Sequence, residues 1–200
     1  MKKALSAILA CCLMVACTVS CDKKNKGEDT GNTVTYGEAQ KGLSGEEALK
    51  DFFMTNYTRD AGEAAFNYMY TQQMIDDMIA KDEYRQLVVD YNNGKNQMLD
   101  LSKNVPSITS IESSTPLTDE QLGWAEQYLI DFTATRGVVV NALHVTEGYD
   151  FKFNILDYNG NAKPNTACLV KVENDGWKFV GTLNGLVERY GTASAENATS

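Results

Sequence analysis

The spacing of apolar residues changes along this 200-residue chain, and the change limits the folds that it can adopt. Leu49, Phe52 and Phe53 recur at helical spacing, and this spacing returns in several later segments. From Val145 onward, apolar residues alternate with polar ones, which is typical of half-buried strands. Helices followed by an antiparallel sheet predict an α+β domain in which one apolar sheet face packs on the helices.

Two capping boxes predict where helices begin. In Ser44-Gly45-Glu46-Glu47, the serine hydroxyl and the Glu47 carboxylate can satisfy unpaired N–H groups of the first turn. Thr118 and Gln121 have the same spacing before a second helix, which Arg136-Gly137 is expected to end.

Between these two helices, the pattern predicts shorter ones. Asp60 and Thr71 are expected to begin them, and Asn92-Asn93-Gly94 predicts the end of the last. For residues 97–101, helix and loop stay open.

Four segments follow the strand pattern. SITSIESS after Pro106 predicts the first strand, and the alternation at Phe151 and Phe153 predicts the second. Cys168, Val170 and Val172 alternate with polar residues in a third strand, and an Asn-Asp-Gly turn leads to a fourth in which Trp177 and Phe179 alternate with Lys178.

The chain begins with a segment typical of export. Lys2 and Lys3 precede an uncharged apolar run from Ala4 to Val15, which predicts a signal peptide over residues 1–20. The run is shorter than the roughly 18–20 apolar residues that cross a bilayer as a helix.

The cysteines add a lipid-anchoring site to this prediction. Four of the five lie in the first 21 residues, which excludes a disulfide framework. Cys21 follows small residues and precedes the charged Asp22, so we predict that it carries the lipid. Cys17, preceded by Ala16, is the alternative, and an ordinary cleaved signal with incidental cysteines is a third interpretation.

The remaining chain divides into a tether, one domain and a tail. Residues 21–42 are polar and predict a flexible tether, residues 43–190 have the length of one domain, and residues 191–200 predict a disordered tail. We expect a location in the cell envelope. The inner and outer membranes both stay open, because sorting rules that depend on the residue after the lipidated cysteine differ among bacteria.

The net charge limits the partners. The whole chain has a formal charge of −9, and loss of the two lysines in residues 1–20 leaves −11. An acidic domain is an unsuitable partner for nucleic acid or for anionic headgroups. We therefore expect contact with the membrane through the lipid anchor alone.

Three motifs carry a family resemblance: TPLTDEQL from Thr115, TEGYDFKF from Thr146 and ENDGWKF from Glu173. With the element order, they resemble the nuclear transport factor 2-like superfamily (cystatin-like cone), and within it lumazine-binding-like lipoproteins of a domain of unknown function. The resemblance implies a curved antiparallel sheet wrapped around helices. It also implies a pocket that some relatives use for small apolar or aromatic ligands and others leave empty, and it implies that many relatives have no catalytic residues.

We predict that the domain binds a small apolar ligand in this cone without catalysis. The residues expected to line the pocket are Phe52, Phe53, Tyr57, Trp124, Tyr128, Phe151 and Phe153. One alternative is a protein-interaction or assembly module that uses the sheet face, including a homodimer. The other is an enzyme with a pocket carboxylate as general base, for which Asp131 with Tyr128 or Tyr149 are the candidates.

Other chemistry-bearing residues favour structural roles. His144 is the only histidine, which excludes a His-rich metal site. Cys168 belongs to an apolar strand face, which indicates an inert buried thiol. Asp157-Tyr158-Asn159-Gly160-Asn161 resembles part of a calcium loop, but Ala162 replaces the required glycine, so we predict a hairpin loop. We expect no cofactor and no metal.

Overall fold

The structure is a computed structural model that describes residues 40, 42–140 and 143–191. Its elements are, in chain order, α1 (Gly45–Thr55), α2 (Gly62–Met69), α3 (Gln72–Ala80), α4 (Tyr84–Leu101), β1 (Ser107–Pro116), α5 (Asp119–Ala134), β2 (Val145–Leu156), β3 (Ala162–Val172), β4 (Gly176–Phe179), α6 (Leu183–Leu186) and a π-helical turn (Val187–Gly191). Helices and an antiparallel sheet in one unit confirm the α+β class.

Both predicted capping boxes are present. The Ser44 hydroxyl accepts a hydrogen bond from the Glu47 N–H, and the Glu47 carboxylate accepts one from the Ser44 N–H at 2.8 Å. Thr118 and Gln121 make the equivalent pair at the start of α5. Because each box satisfies its N–H groups within four residues, the local sequence is sufficient to define these helix starts.

The short helices begin partly as expected. Thr71 caps α3 by accepting a hydrogen bond from the Met74 N–H. The prediction for Asp60 is wrong, because Asp60 has a φ of 57° and α2 has Ala61 at its N-cap. The Asp60 carboxylate instead accepts a hydrogen bond from the Asn96 side chain at 2.9 Å.

The predicted helix stop at Asn92-Asn93-Gly94 is also wrong, since α4 continues through it to Leu101. A glycine inside a helix costs about 1 kcal/mol relative to alanine. Tertiary contacts offset this cost. The Asn92 side-chain oxygen accepts a hydrogen bond from the Gly62 N–H at 2.8 Å, and this bond satisfies an N–H group in the first turn of α2.

The four strands form one antiparallel sheet in the order β1-β2-β3-β4. β1 contains two register shifts, after Ile108 and after Ile111. Ile108 pairs with Ile155 and Ile111 pairs with Phe153. Because a bulge inserts one extra residue, two isoleucines three positions apart lie on the same side of the sheet.

Helices cover both faces of this sheet, whereas the sequence predicted one. Phe151, Phe153, Leu169 and Trp177 lie on the front face and pack with α1 and Tyr68 of α2, forming the front core. Residues of opposite parity, Cys168, Val170 and Val172, lie on the back face and pack with Ala125 and Leu129 of α5, forming the back core. The central part of β3 is therefore buried on both sides, and strand alternation alone does not show which face a helix covers.

Candidate functional site

The strongest functional prediction falls on residues outside the described part of the chain. Cys21, its alternative Cys17, the signal over residues 1–20, most of the tether and nearly all of the tail belong to this group. None of the helices in the described ranges is both long and apolar enough to cross a bilayer. Lipid attachment at Cys21 stays a prediction from the sequence.

The aromatic residues predicted to line a pocket are divided between the two faces of the sheet. The front core includes or contacts Phe52, Phe53, Tyr57, Phe151 and Phe153. Trp124 and Tyr128 pack against the back core. Because the sheet lies between the two groups, the seven residues do not line one common cavity.

Rings in the front group contact one another directly. The Phe53 ring centroid lies 4.8 Å from that of Tyr57 and 6.3 Å from that of Phe153, and Phe52 stacks on Phe179 at 4.8 Å. Aromatic pairs in contact have centroids about 4.5–7 Å apart. These rings therefore occupy the space in which a ligand would have to sit.

Two depressions in the described residues lie elsewhere and are open to solvent. The larger, of about 290 Å³, lies between α1 and β1, and its lining is Glu46, Lys50, Ile108, Thr109, Ser110 and Ile111. The smaller, of about 140 Å³, lies between the end of α3 and the start of α4. Neither is lined by a residue predicted for the ligand pocket.

His144 and Cys168 occupy the structural settings that the sequence indicated. The His144 side chain is 68% exposed, and its Nδ1 lies 3.5 Å from a Glu126 carboxylate oxygen. Cys168 is fully buried in the back core. Burial, together with the nearby Asp150 carboxylate, raises the pKa of Cys168 to about 12, so at neutral pH the thiol is protonated and unreactive.

Asp131, the candidate general base, lies in a hydrogen-bonded network at the end of α5. Its carboxylate accepts hydrogen bonds from Gln127 at 2.7 Å and from the Tyr190 hydroxyl at 2.8 Å. The bonds from Gln127 and Tyr190, with the charge of Arg189, hold the pKa of Asp131 below its usual value. A general base active near neutral pH needs a raised pKa, so this environment opposes that role.

The two tyrosines proposed beside Asp131 are not brought together there. Tyr128 lies on the same helix, one turn before Asp131, but Tyr149 packs with Trp177 on the front face at 6.2 Å between ring centroids. Among the described carboxyl groups with a shifted pKa, only that of Asp150 is raised, by burial. Asp150 pairs with Cys168 across β2 and β3 and lines neither depression.

The Asp157 loop is a hairpin connection, as predicted. One Asp157 carboxylate oxygen accepts hydrogen bonds from the Asn159 and Asn161 N–H groups, both at 2.9 Å. The other lies 2.6 Å from the Lys163 ammonium. The Lys163 contact and these N–H groups lower the pKa of Asp157 to about 2. The carboxylate thus organises the turn with its own neighbours.

Lys178 is buried although it occupies the polar position between two aromatic residues of β4, since its side chain is 1% exposed. Its ammonium lies 2.7 Å from an Asp175 carboxylate oxygen and donates to the Asn67 carbonyl oxygen at 2.7 Å. Burial lowers the pKa of Lys178, and Asp175 opposes this shift. Alternation could not reveal the burial, because α2 reaches Lys178 across the β4 edge.

The other sheet edge is open and borders the larger depression. β1 forms its ladder with β2 alone, and within the described ranges no hydrogen bond joins its outer backbone edge to another segment. Glu46 and Lys50 of α1 line the opposite wall. A groove between an edge strand and a helix has the geometry in which extended segments add to a sheet.

The described residues contain no group of three or more His, Cys, Asp or Glu side chains that could hold a metal ion. Comparisons with protein-family models, with curated proteins and with solved structures each return no match. The β1–α1 groove is therefore a candidate functional site on its geometry alone.

Proposed function

We propose that this chain is a lipoprotein of the bacterial cell envelope, held at the membrane by a lipid on Cys21, whose domain binds protein and is not a catalyst. The sequence supports the anchor through the charged start, the short apolar run and the cysteine that precedes Asp22. The acidic composition supports the same arrangement, because the acyl chains then hold an otherwise repelled domain at the membrane.

We also propose that the domain is related to the nuclear transport factor 2-like lipoproteins. Support comes from the element order, in which helices precede a strand, one inserted helix and three further antiparallel strands. The ENDGWKF motif forms the β3–β4 turn, where Asn174 and Gly176 have φ values of 61° and 75°. This domain differs from a cone that is open on one side, because α5 covers the back face of the sheet.

The observation that carries protein binding is the position of the groove. The larger of the two depressions lies at the edge of β1 that has no described partner, whereas the aromatic residues expected to hold a small ligand fill the cores. Exposed backbone donors and acceptors on an edge strand are satisfied well by another extended segment. This favours the interaction module over the small apolar ligand.

Metabolic labelling with a clickable palmitate analogue tests the anchor. We expect label on the wild type and on Cys17→Ala, and its loss from Cys21→Ala. An unlabelled wild type would contradict the lipoprotein proposal, and label retained by Cys21→Ala would contradict the choice of cysteine.

Native mass spectrometry of the full-length protein from its own host tests the mode of binding. We expect a lipidated chain without a small-molecule adduct, together with complexes whose added mass is that of protein. A stoichiometric small apolar adduct would instead support the ligand pocket and overturn the interaction module.

A further inference from the structure

The outer edge of β1 presents a long row of backbone groups without partners in the described part of the chain. The strand spans Ser107–Pro116 and hydrogen-bonds on one side only. It contains a single ionisable residue, Glu112, and no lysine. Native edge strands are usually protected by lysines and other charges, prolines, bulges, covering segments or short length, and β1 has two bulges, Glu112 and a terminal Pro116 but no lysine.

The groove beside this edge carries two charges of opposite sign. Glu46 and Lys50 lie one turn apart on α1 and both are exposed, and Lys50 also interacts electrostatically with Glu47, which is held by Ser44. Half-buried Ile108 and Ile111 of β1 form the apolar floor of the groove. The surface is thus an apolar strip bordered by a positive and a negative group.

We propose that β1 pairs with β1 of a second copy of this chain, in an antiparallel dimer related by a two-fold axis. This inference rests on the proposed function and names the partner of the β1 edge. Antiparallel pairing would join the two four-stranded sheets into one continuous sheet and satisfy the outer backbone groups of both strands. A two-fold interface is made of the same patch twice, so the patch must be self-complementary.

The charges in the groove meet that requirement. In the dimer both copies of α1 lie on the same side of the joined sheet and run in opposite directions. An axis that passes between Glu46 and Lys50 places each Lys50 opposite Glu46 of the second copy. A parallel two-fold pairing would turn one sheet over and place the two copies of α1 on opposite faces, so these charge contacts form only in the antiparallel arrangement.

Membrane anchoring allows two copies of the chain to pair through a small interface of this kind. On the proposed function, lipid attachment at Cys21 holds the domains of neighbouring copies at the same membrane surface. Confinement raises the effective concentration of each copy near the other. The edge can therefore pair in the membrane although the net charge, −11 after loss of Lys2 and Lys3 with residues 1–20, opposes association in dilute solution.

Single-cysteine cross-linking in membranes tests the pairing with the full-length chain. Thr109, Ser110, Ile111, Glu112 and Ser113 are each replaced by cysteine, and copper phenanthroline is used as oxidant. A disulfide requires Cα atoms about 4.4–6.8 Å apart, and only the residue on the two-fold axis faces its own copy at that distance. We expect disulfide dimers at one of the five positions and their near absence at the others. Thr166→Cys, exposed on β3, is the matched control.

Charge exchange tests the orientation on the same cross-linking variant. Lys50→Glu places like charges across the axis, and we expect the dimer fraction to fall by roughly fivefold. Glu46→Lys with Lys50→Glu restores opposite charges across the axis, so we expect recovery of the dimer. Failure of the double exchange to recover it would overturn the antiparallel arrangement.

The cross-linking and labelling results distinguish failure of the dimer from failure of the proposed function. Equal cross-linking at all five positions and at Thr166→Cys would show random collision and overturn the dimer. Cross-links to a protein of different mass would also overturn it, while leaving the interaction module in place. With Cys21→Ala, loss of both label and dimer supports dependence on the anchor, whereas label on the wild type without any dimer contradicts the inference alone.

Discussion

The two edges of the sheet are treated in opposite ways. At β4, the Trp177 N–H donates to the Gln40 side chain at 3.0 Å, and α2 covers the strand through the bond from Lys178 to Asn67. At β1, ten residues run along the surface with no described partner on the outer side. The difference shows that the fold covers one edge with buried polar contacts and leaves the other without a partner among the described residues.

The polar contacts that cover the β4 edge depend on one another. The Asp175 carboxylate contacts the Lys178 ammonium at 2.7 Å and accepts from the Gln72 N–H of α3 at 2.9 Å. One carboxylate therefore neutralises a buried charge and caps a helix. Substitutions at the covered β4 edge are expected to change the free energy of unfolding more than substitutions at the open β1 edge.

Removal of Asp175 should have the largest effect on stability. Asp175→Ala leaves the buried Lys178 charge without its counter-ion, and we expect a loss of about 3–5 kcal/mol in the free energy of unfolding, measured by urea denaturation. Lys178→Met is the matched control and should lose much less, because it removes the buried charge and Asp175 keeps its bond to Gln72. Equal losses would show that the ion pair does not close this edge.

Removal of Gln40 should have an intermediate effect. Gln40→Ala leaves the buried Trp177 N–H without an acceptor, which costs about 1–3 kcal/mol in urea denaturation. Gln97→Ala, on the exposed side of α4, should stay within about 0.5 kcal/mol of the wild type. If both variants behaved alike, Gln40 would contribute nothing to closure of the edge.

The lowered pKa of Lys178 predicts a dependence of stability on pH. Between its folded pKa and the unfolded value of about 10.4, the unfolded chain binds a proton that the folded chain has released. The free energy of unfolding should therefore rise with pH across that window. Urea denaturation of the wild type against Lys178→Met isolates this contribution. A difference that stays constant or falls as pH approaches 10.4 would contradict the direction of the shift.

A substitution on the open edge should have the smallest effect on stability and a clear effect on assembly. Ser110→Lys places a charge on the exposed side of β1, and we expect the free energy of unfolding to change by less than about 0.5 kcal/mol. Cross-linking in membranes, on the cysteine variant that forms the dimer, should show loss of the dimer, since lysine on an edge strand opposes strand pairing. Thr166→Lys, away from the edge, should retain it.

The parts of the fold that the sequence predicts are those determined by near neighbours. Ser44 and Thr118 each find their capping partner three residues away. Phe151 and Phe153 lie two positions apart on one face of β2, and Cys168 and Val170 do the same on β3. This spacing follows from the two-residue period of a strand alone. These features require no knowledge of what packs from a distance.

The remaining features depend on distant contacts. Asn92 is a helix breaker by local propensity, yet its side chain caps α2 thirty residues earlier. Lys178 alternates with two aromatic residues, yet its ammonium reaches Asn67, which is 111 positions away. The groove between α1 and β1 was likewise not predicted, because it brings together Glu46 and Ile108 from separate elements.

Amide hydrogen exchange of the full-length protein in proteoliposomes, at high and at low protein-to-lipid ratio, compares the two edges most directly. A closed β4 edge and a β1 edge that pairs with a second copy predict slower exchange in residues 107–116 at the high ratio, with no change in residues 176–180. Exchange in residues 107–116 that is the same at both ratios would contradict the account.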